Sequence, residues 1–282
     1  MKVLLLGATG QIGTALMKSA HKYDVECIGY GRESFDISHP DEVERLIDVL
    51  NPDILVNSVA LQAIDKCEQY PDDAFRINAT AVSNLAKICQ KREIIIVQLG
   101  THTIFDGAST LPYVESDCPN PLNIYGMSKL AGDLFALNIC CRSYVFRLPT
   151  VFGKRIDGYN GFCDKLLDWI KALQPLQMAV DKIDSFGFAD DISDEIFRVI
   201  LNGMNYGIYH ITNSDAASYY EFAQELLNGL GFSEYPIESV TDSTFSSLGR
   251  KPLRTPIASE KLPPLRSWKE AMSIYISQLK EE

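Results

Sequence analysis

The 282-residue chain is expected to be an α/β protein: a doubly wound parallel sheet covered by helices, with a smaller lobe from its C-terminal part. Three observations predict this. Runs of Val, Ile and Leu alternate with segments of helical periodicity through the first 150 residues. The runs are continuously apolar, as strands buried on both faces of a parallel sheet must be. A glycine-rich turn directly follows the first run.

Taken in order, residues 2–6 (KVLLL) read as a buried strand, and a helix follows over about 10–21. Residues 25–30 form the second strand. Residues 39–50 begin with Pro and acids and carry Leu and Ile at helical spacing, so they predict a helix. A third strand at 53–59, a long helix at 72–90, a fourth strand at 93–99, a helix at 122–138 and a fifth strand at 143–148 complete the rhythm. Beyond residue 150 the pattern loosens. Helices are expected at 161–173, 190–201, 218–230 and 267–279, and a strand at 207–212. Residues 233–266, rich in Pro, Ser and Thr, read mostly as loop. The expected division is a main domain of residues 1–150 with a returning part at about 190–230, and a lobe from 151–189 and 231–282.

Hydrophobic residues make up 46% and charged residues 22%, a globular composition. With 26 basic and 37 acidic residues the formal charge is −11, which argues against nucleic acid or an anionic membrane as the main partner. Seven cysteines, an odd number with no C-x-x-C pair, read as reduced thiols in a cytoplasmic protein. The apolar run before Gly7 is too short for a signal peptide, and no stretch has the length of a membrane span. The four histidines show no metal-ligand spacing, so no metal is expected.

The chemistry starts in GATGQIG, with Gly7, Gly10 and Gly13 at the first strand–helix junction. A tight turn there lets backbone N–H groups and the helix N-terminus face a pyrophosphate. Thr9 lies in the same turn, and Leu99 near the end of strand four joins the expected cofactor contacts. An acid after strand two would bind the ribose 2′-OH of NAD. This chain has GYGRES, and Arg32 there suits a 2′-phosphate, favouring NADP(H) over NAD(H). Tyr125 and Lys129 stand four apart on a predicted helix, one turn apart on one face. An ammonium beside a phenol favours the phenolate and brings its pKa closer to neutral, suiting Tyr125 to protonate the oxygen of a carbonyl being reduced. Thr101, at the end of strand four, reaches the same carboxyl edge of the sheet and can hold that oxygen.

These stretches resemble the extended short-chain dehydrogenase/reductases, and among them the dTDP-4-dehydrorhamnose reductases. The likeness runs through LLLGATGQIG, FDIS, NPDILVN, AIDKCE, RINATAVSNLA, IFDG, PYVESDCPNPLNIYGMSKLAGD and RKPLRTPIASEKL, from residue 3 to about 262. It implies a Rossmann-type domain with a small C-terminal substrate-binding lobe, and Thr101, Tyr125 and Lys129 as the catalytic set. It further implies Gly10, Gln11 and Ile12 on the pyrophosphate, Asp36 and Ile37 near the adenine, and Val59, Ala60 and Leu61 by the ribose and pyrophosphate. The implied reaction is NADP(H)-dependent reduction of a nucleotide-linked 4-keto-6-deoxy sugar.

Three departures fall on the substrate side. Where that family reads Ser-Thr-Asp-Tyr, this chain has GTHT, placing His102 and Thr103. Leu61 and Gln62 replace a Tyr-Thr, and Thr150 replaces a tryptophan. His102 and Thr150 are therefore expected to touch the substrate. From Arg250 to Lys269 six basic residues face one acid, a local reversal of charge, and Arg250 is the expected diphosphate contact. Two other readings share this framework: a nucleotide-sugar epimerase, against which the missing acid after strand two speaks, and a non-catalytic NADP-binding regulatory subunit like that of methionine adenosyltransferase. The sequence leaves the sugar, the nucleotide and the oligomeric state open, a homodimer included.

Overall fold

Six of the apolar runs pair side by side, all parallel, in the order β2-β1-β3-β4-β5-β9. They are β1 (Lys2–Leu6), β2 (Glu26–Tyr30), β3 (Ile54–Asn57), β4 (Ile95–Thr101), β5 (Ser143–Leu148) and, after a long excursion, β9 (Gly207–His210). The computed structural model describes residues 1–31, 34, 36–156 and 161–281. Strand order reverses between β1 and β3, so the crevice for a ligand opens at the carboxyl ends of these two strands.

The period of two along each strand explains why the runs are apolar throughout. Val3 and Leu5 of β1 face one layer, containing Ile12, Ala15 and Leu16 of α1 (Gln11–Lys22) and Ile192 and Ile196 of α8 (Ala189–Leu201). Leu4 and Leu6 face the opposite layer, against Val43 and Ile47 of α2 (Pro40–Leu50) and Leu85 and Cys89 of α5 (Ala81–Arg92). Next to α5 lies α6 (Ile124–Ile139), whose Ala136 packs with Val82 and Val145. Both α2 and α5 end on a left-handed residue, Asn51 (φ 46°) and Glu93 (φ 57°), which turns the chain into the next strand.

A second core gathers the rest of the chain. It is aromatic, with Phe152, Phe186, Phe188, Phe222, Trp268 and Tyr275 all buried together. Its strands are β6 (Thr150–Phe152), β7 (Leu176–Ala179), β8 (Ile183–Phe188), β10 (Asn213–Ser214), β11 (Ala216–Ser218), β12 (Ile237–Val240) and β13 (Leu265–Ser267). Its helices are α7 (Phe162–Lys171), α9 (Tyr219–Leu230) and α10 (Trp268–Lys280). β11, β8 and β6 form a three-stranded sheet in that order. Within the stretch expected to return to the main sheet, α8 and β9 do so, whereas α9 buries Phe222 and Leu226 in the aromatic core.

Two expectations need correction. The long helix over 72–90 is α4 (Pro71–Phe75), a π-helical turn at Arg76–Thr80 and then α5, preceded by a short α3 (Ile64–Gln69). A π turn admits one extra residue and swings Asn78 toward α6, where a Cβ at Gly132 would lie 2.1 Å from the Asn78 carbonyl oxygen. The region read as mostly loop after residue 233 carries β12 and β13, each too short for its periodicity to register. Among the described residues no helix is long and apolar enough to cross a membrane.

Candidate active site

The expected residues gather where the parallel strands end. Gly7 follows β1, Gly31 follows β2, residues 59–61 follow β3, Thr101 ends β4 and Thr150 stands just past β5. One edge of one sheet therefore presents these residues together.

The turn after β1 needs its glycines for different reasons. Gly7 has φ +87°, and Gly13 carries the closest approach: a Cβ there would lie 2.0 Å from the Gly7 carbonyl oxygen. A Cβ at Gly10 would meet nothing nearer than 3.5 Å, so this glycine leaves its outer face clear. Gly10 also caps α1 without a side chain, and the first turn holds no acid. The leading N–H groups of α1, those of Gln11, Ile12 and Gly13, thus head an uncapped positive helix end beside an open cradle. That fits a dinucleotide pyrophosphate. Gln11 offers backbone there, since its side-chain amide donates to the Gly153 carbonyl at 2.9 Å. Thr9 packs its methyl where a Cβ at Gly31 would be 2.7 Å away.

The adenine-side expectations divide. Asp36 is exposed and accepts from the Ser38 backbone at 2.9 Å, which draws its carboxyl below the usual range. Ile37, only 2% exposed, packs in the core layer with Leu4 and Leu6 of β1. Arg32 lies outside the described residues. In the loop after β3, the Val59 backbone donates to Asn57, and Leu61 is clamped twice by Asn78, through its N–H at 2.8 Å and its carbonyl at 3.0 Å. Ala60 sits between them, half-buried.

Helix α6 is pinned at its start. The Asn123 side chain accepts from Gly126 N–H at 2.9 Å and donates to the Arg250 carbonyl at 2.8 Å, while Glu68 accepts from Ile124 N–H at 2.8 Å. Gly126 allows close contact with the turn after β4; a Cβ there would lie 2.6 Å from the Thr103 carbonyl oxygen. Tyr125 is half-buried in this first turn. Lys129, one turn on and 3% exposed, donates to the Leu99 carbonyl at 2.6 Å, two residues before Thr101. Burial pushes the Lys129 ammonium below the ordinary lysine range, with Asp133 opposing that shift. Asp133, fully buried, sits 3.4 Å from Arg147 Nε; burial raises its carboxyl against the pull of Arg147 and Lys129. Thr101 accepts from the Thr103 N–H and donates to the Thr103 hydroxyl, both at 3.2 Å.

The model of the RmlD substrate binding domain matches residues 1–281. The chain belongs to the RmlD family. An Escherichia coli dTDP-4-dehydrorhamnose reductase is 28% identical over 93% of this chain and 90% of its own length. The Bacillus subtilis spore coat polysaccharide biosynthesis protein SpsK is 28% identical over 98% and 97%. The crystal structure of a Clostridium acetobutylicum dTDP-4-dehydrorhamnose reductase superposes with a TM-score of 0.92 at 29% identity, covering 99% of this chain and all of that one. The resemblance read from the sequence thus holds across this RmlD-family chain.

Around His102 and Thr150, expected to touch the substrate, the structure shows a partner that the sequence reading missed. His102 Nδ1 lies 3.0 Å from the Leu148 carbonyl and Nε2 lies 2.9 Å from Asp184 Oδ2. The Thr150 hydroxyl donates to the same Asp184 oxygen at 2.7 Å and meets the Tyr219 hydroxyl at 2.9 Å. Asp184 carried a signal, an acid inside the apolar run KIDSFGF, but β8 was not predicted there. Arg250 is joined to α6 by its carbonyl, and its side chain is exposed. Arg254, nearby, donates its guanidinium to the Thr110 carbonyl at 3.0 Å. Asn78, Asp133 and Arg147 also escaped notice; Asp133 stands one helical turn past Lys129, which was legible.

Proposed function

We propose that this chain reduces the keto group of a nucleotide-linked 4-keto-6-deoxy sugar with NADPH. Its family places it among the NAD(P)-dependent oxidoreductases of the extended short-chain dehydrogenase/reductase type. The observation that carries the reading is the placement of Lys129: buried, fixed on the Leu99 carbonyl, one turn from Tyr125 and beside the strand that ends in Thr101.

The residues of the β1–α1 turn would hold the dinucleotide phosphates, with Val59, Ala60 and Leu61 along the ribose. When bound, the reduced nicotinamide supplies a hydride for the keto carbon. Thr101 turns its hydroxyl from Thr103 to the incoming carbonyl oxygen and polarises it. Tyr125 gives its phenolic proton to that oxygen as negative charge develops there. Lys129 stabilises the resulting phenolate by its charge. Asp133, held beside Arg147, favours the charged form of Lys129. The preference for NADP rests on Arg32 in the sequence. The same reading sets the enzyme in the cytoplasm, with a nucleotide sugar rather than nucleic acid as partner and a homodimer as the assembly to test. Loss of NADPH absorbance with a panel of nucleotide-linked 4-keto sugars tests it; no oxidation with any member would overturn it.

A further inference from the structure

Three side chains at the substrate edge share one partner. Asp184 is 1% exposed, yet its carboxylate is fully engaged. Oδ1 accepts from the Ser185 N–H at 2.9 Å. Oδ2 accepts from Thr150 at 2.7 Å, faces His102 Nε2 at 2.9 Å and has the Tyr219 hydroxyl at 3.4 Å. His102 is 9% exposed, and its other nitrogen faces the Leu148 carbonyl. A carbonyl oxygen has no proton to give, so Nδ1 is the donor there. A carboxylate already taking a proton from Thr150 is also an acceptor, so Nε2 donates too. An imidazole donating from both nitrogens is an imidazolium.

We propose that His102 and Asp184 form a buried imidazolium–carboxylate pair that orients His102 and Thr150 for the sugar, making Asp184 a positioning residue for substrate capture. The inference rests on the reductase reading. It joins two departures from the family pattern, at 102 and 150, through a third residue on another element. The pair also ties the end of β4 to β8, spanning the main sheet and the aromatic core. Lys182, just before β8, lies over the Tyr219 ring at 4.8 Å, and its positive charge opposes the pull of Asp184 on the His102 imidazolium. Thr150 and Tyr219 are each half-buried, and their hydroxyls are held by Asp184 and by each other.

The role makes a signed prediction at position 102. His102→Asp restores the family's usual acid but sets two carboxylates against each other in a dry site. It should lower kcat/KM by about 100-fold or more. Asp184→Asn alone should raise KM by about tenfold while kcat changes less than about threefold. The double variant, with one acid again, should recover most of the loss. A role in folding alone would leave KM of the folded fraction unchanged. Nitrogen chemical shifts of His102 in the NADPH-bound wild-type protein, which need no variant, should show both ring nitrogens protonated at neutral pH. A neutral single tautomer there would overturn the pair. So would losses at 102 and 184 that simply multiply, or that fall on kcat with KM unmoved. If the wild-type protein reduces no keto sugar, the reductase reading fails, and the nitrogen shifts still decide the pair.

Discussion

The two sides of the crevice are built differently. On the cofactor and catalytic side the backbone does the positioning: Gly13 against Gly7, Gly126 against Thr103, Gly132 against Asn78, and the start of α6 tied to Glu68 and Arg250. On the substrate side the work falls to side-chain charge, with His102, Asp184, Thr150 and Tyr219 in one hydrogen-bonded group. Backbone contacts of about 2 Å from a notional Cβ tolerate almost no substitution, whereas a charge pair can be exchanged for another of similar shape. The difference teaches where change is possible. On the proposed reading, the reaction type rests on backbone geometry, and the choice of sugar rests on groups that one or two substitutions can rebuild.

The comparison breaks most sharply at Tyr125. Tyr125→Phe removes the proton donor and leaves the aromatic ring, so kcat should fall by about 10²–10⁴. NADPH affinity, read by fluorescence titration, should stay within roughly threefold, because the cradle after β1 is untouched. Near-normal turnover in this variant would falsify the assignment of the acid. Next comes Gly13→Ala. Its Cβ has 2.0 Å to the Gly7 carbonyl oxygen, so the turn must open. Overpacking of this kind costs about 3 kcal/mol. Thermal unfolding should show that loss, and NADPH binding should weaken by about tenfold or more as the head of α1 moves. An unaltered melting temperature with unaltered binding would show that the turn is looser than its contacts indicate.

Legibility followed the same divide. Strands β1, β3 and β4 were readable as continuous apolar runs, the pattern that a sheet buried on both faces demands, whereas the edge strand β2 is only partly buried. The positions of the candidate site residues after them were readable because a parallel sheet delivers every strand's end to one edge, so position along the chain implies position in space. Lys129 could be placed from its spacing to Tyr125 alone. Asp184 could not, because β8 is a short strand after residue 150, and its partner is 82 positions away at His102. Asn78 was hidden for a different reason. Helical periodicity runs through the π turn without announcing the extra residue that aims this side chain at Leu61 and Ser128.

Asn78 joins two parts of one side, since it holds the loop after β3 and the helix that carries Tyr125. Its amide donates to the Leu61 carbonyl and the Ser128 hydroxyl, both at 3.0 Å, and its oxygen accepts from the Leu61 N–H. Asn78→Ala leaves three groups without their partner in a site 1% exposed. A loss of about 2 kcal/mol is expected in denaturant unfolding. Turnover of the folded enzyme should drop as well, as Tyr125 and the ribose-side loop lose their common anchor. A variant as stable and as active as the parent would mean that α6 is held by its own N-terminal contacts.

The smallest expected effect tests the charge side through pH. Burial disfavours a charged His102, but the Asp184 carboxylate, its hydrogen bond and the Leu148 carbonyl outweigh that and hold the imidazolium above the usual histidine range. A raised folded-state value means that the native state binds the proton more tightly than the unfolded chain. The stability from this pair is therefore complete below the unfolded histidine value of about 6.5. It declines as pH rises through the raised folded value. His102→Gln removes the charge, so wild type should exceed it by about 1.5 kcal/mol at acid pH, worth roughly 4 °C in melting temperature. That gap should narrow steadily toward alkaline pH. Melting curves of both proteins from pH 5.5 to 9 read it directly, and a gap that stays constant across the range would mean that His102 is neutral in the folded protein and that the substrate side, like the cofactor side, is held by shape alone.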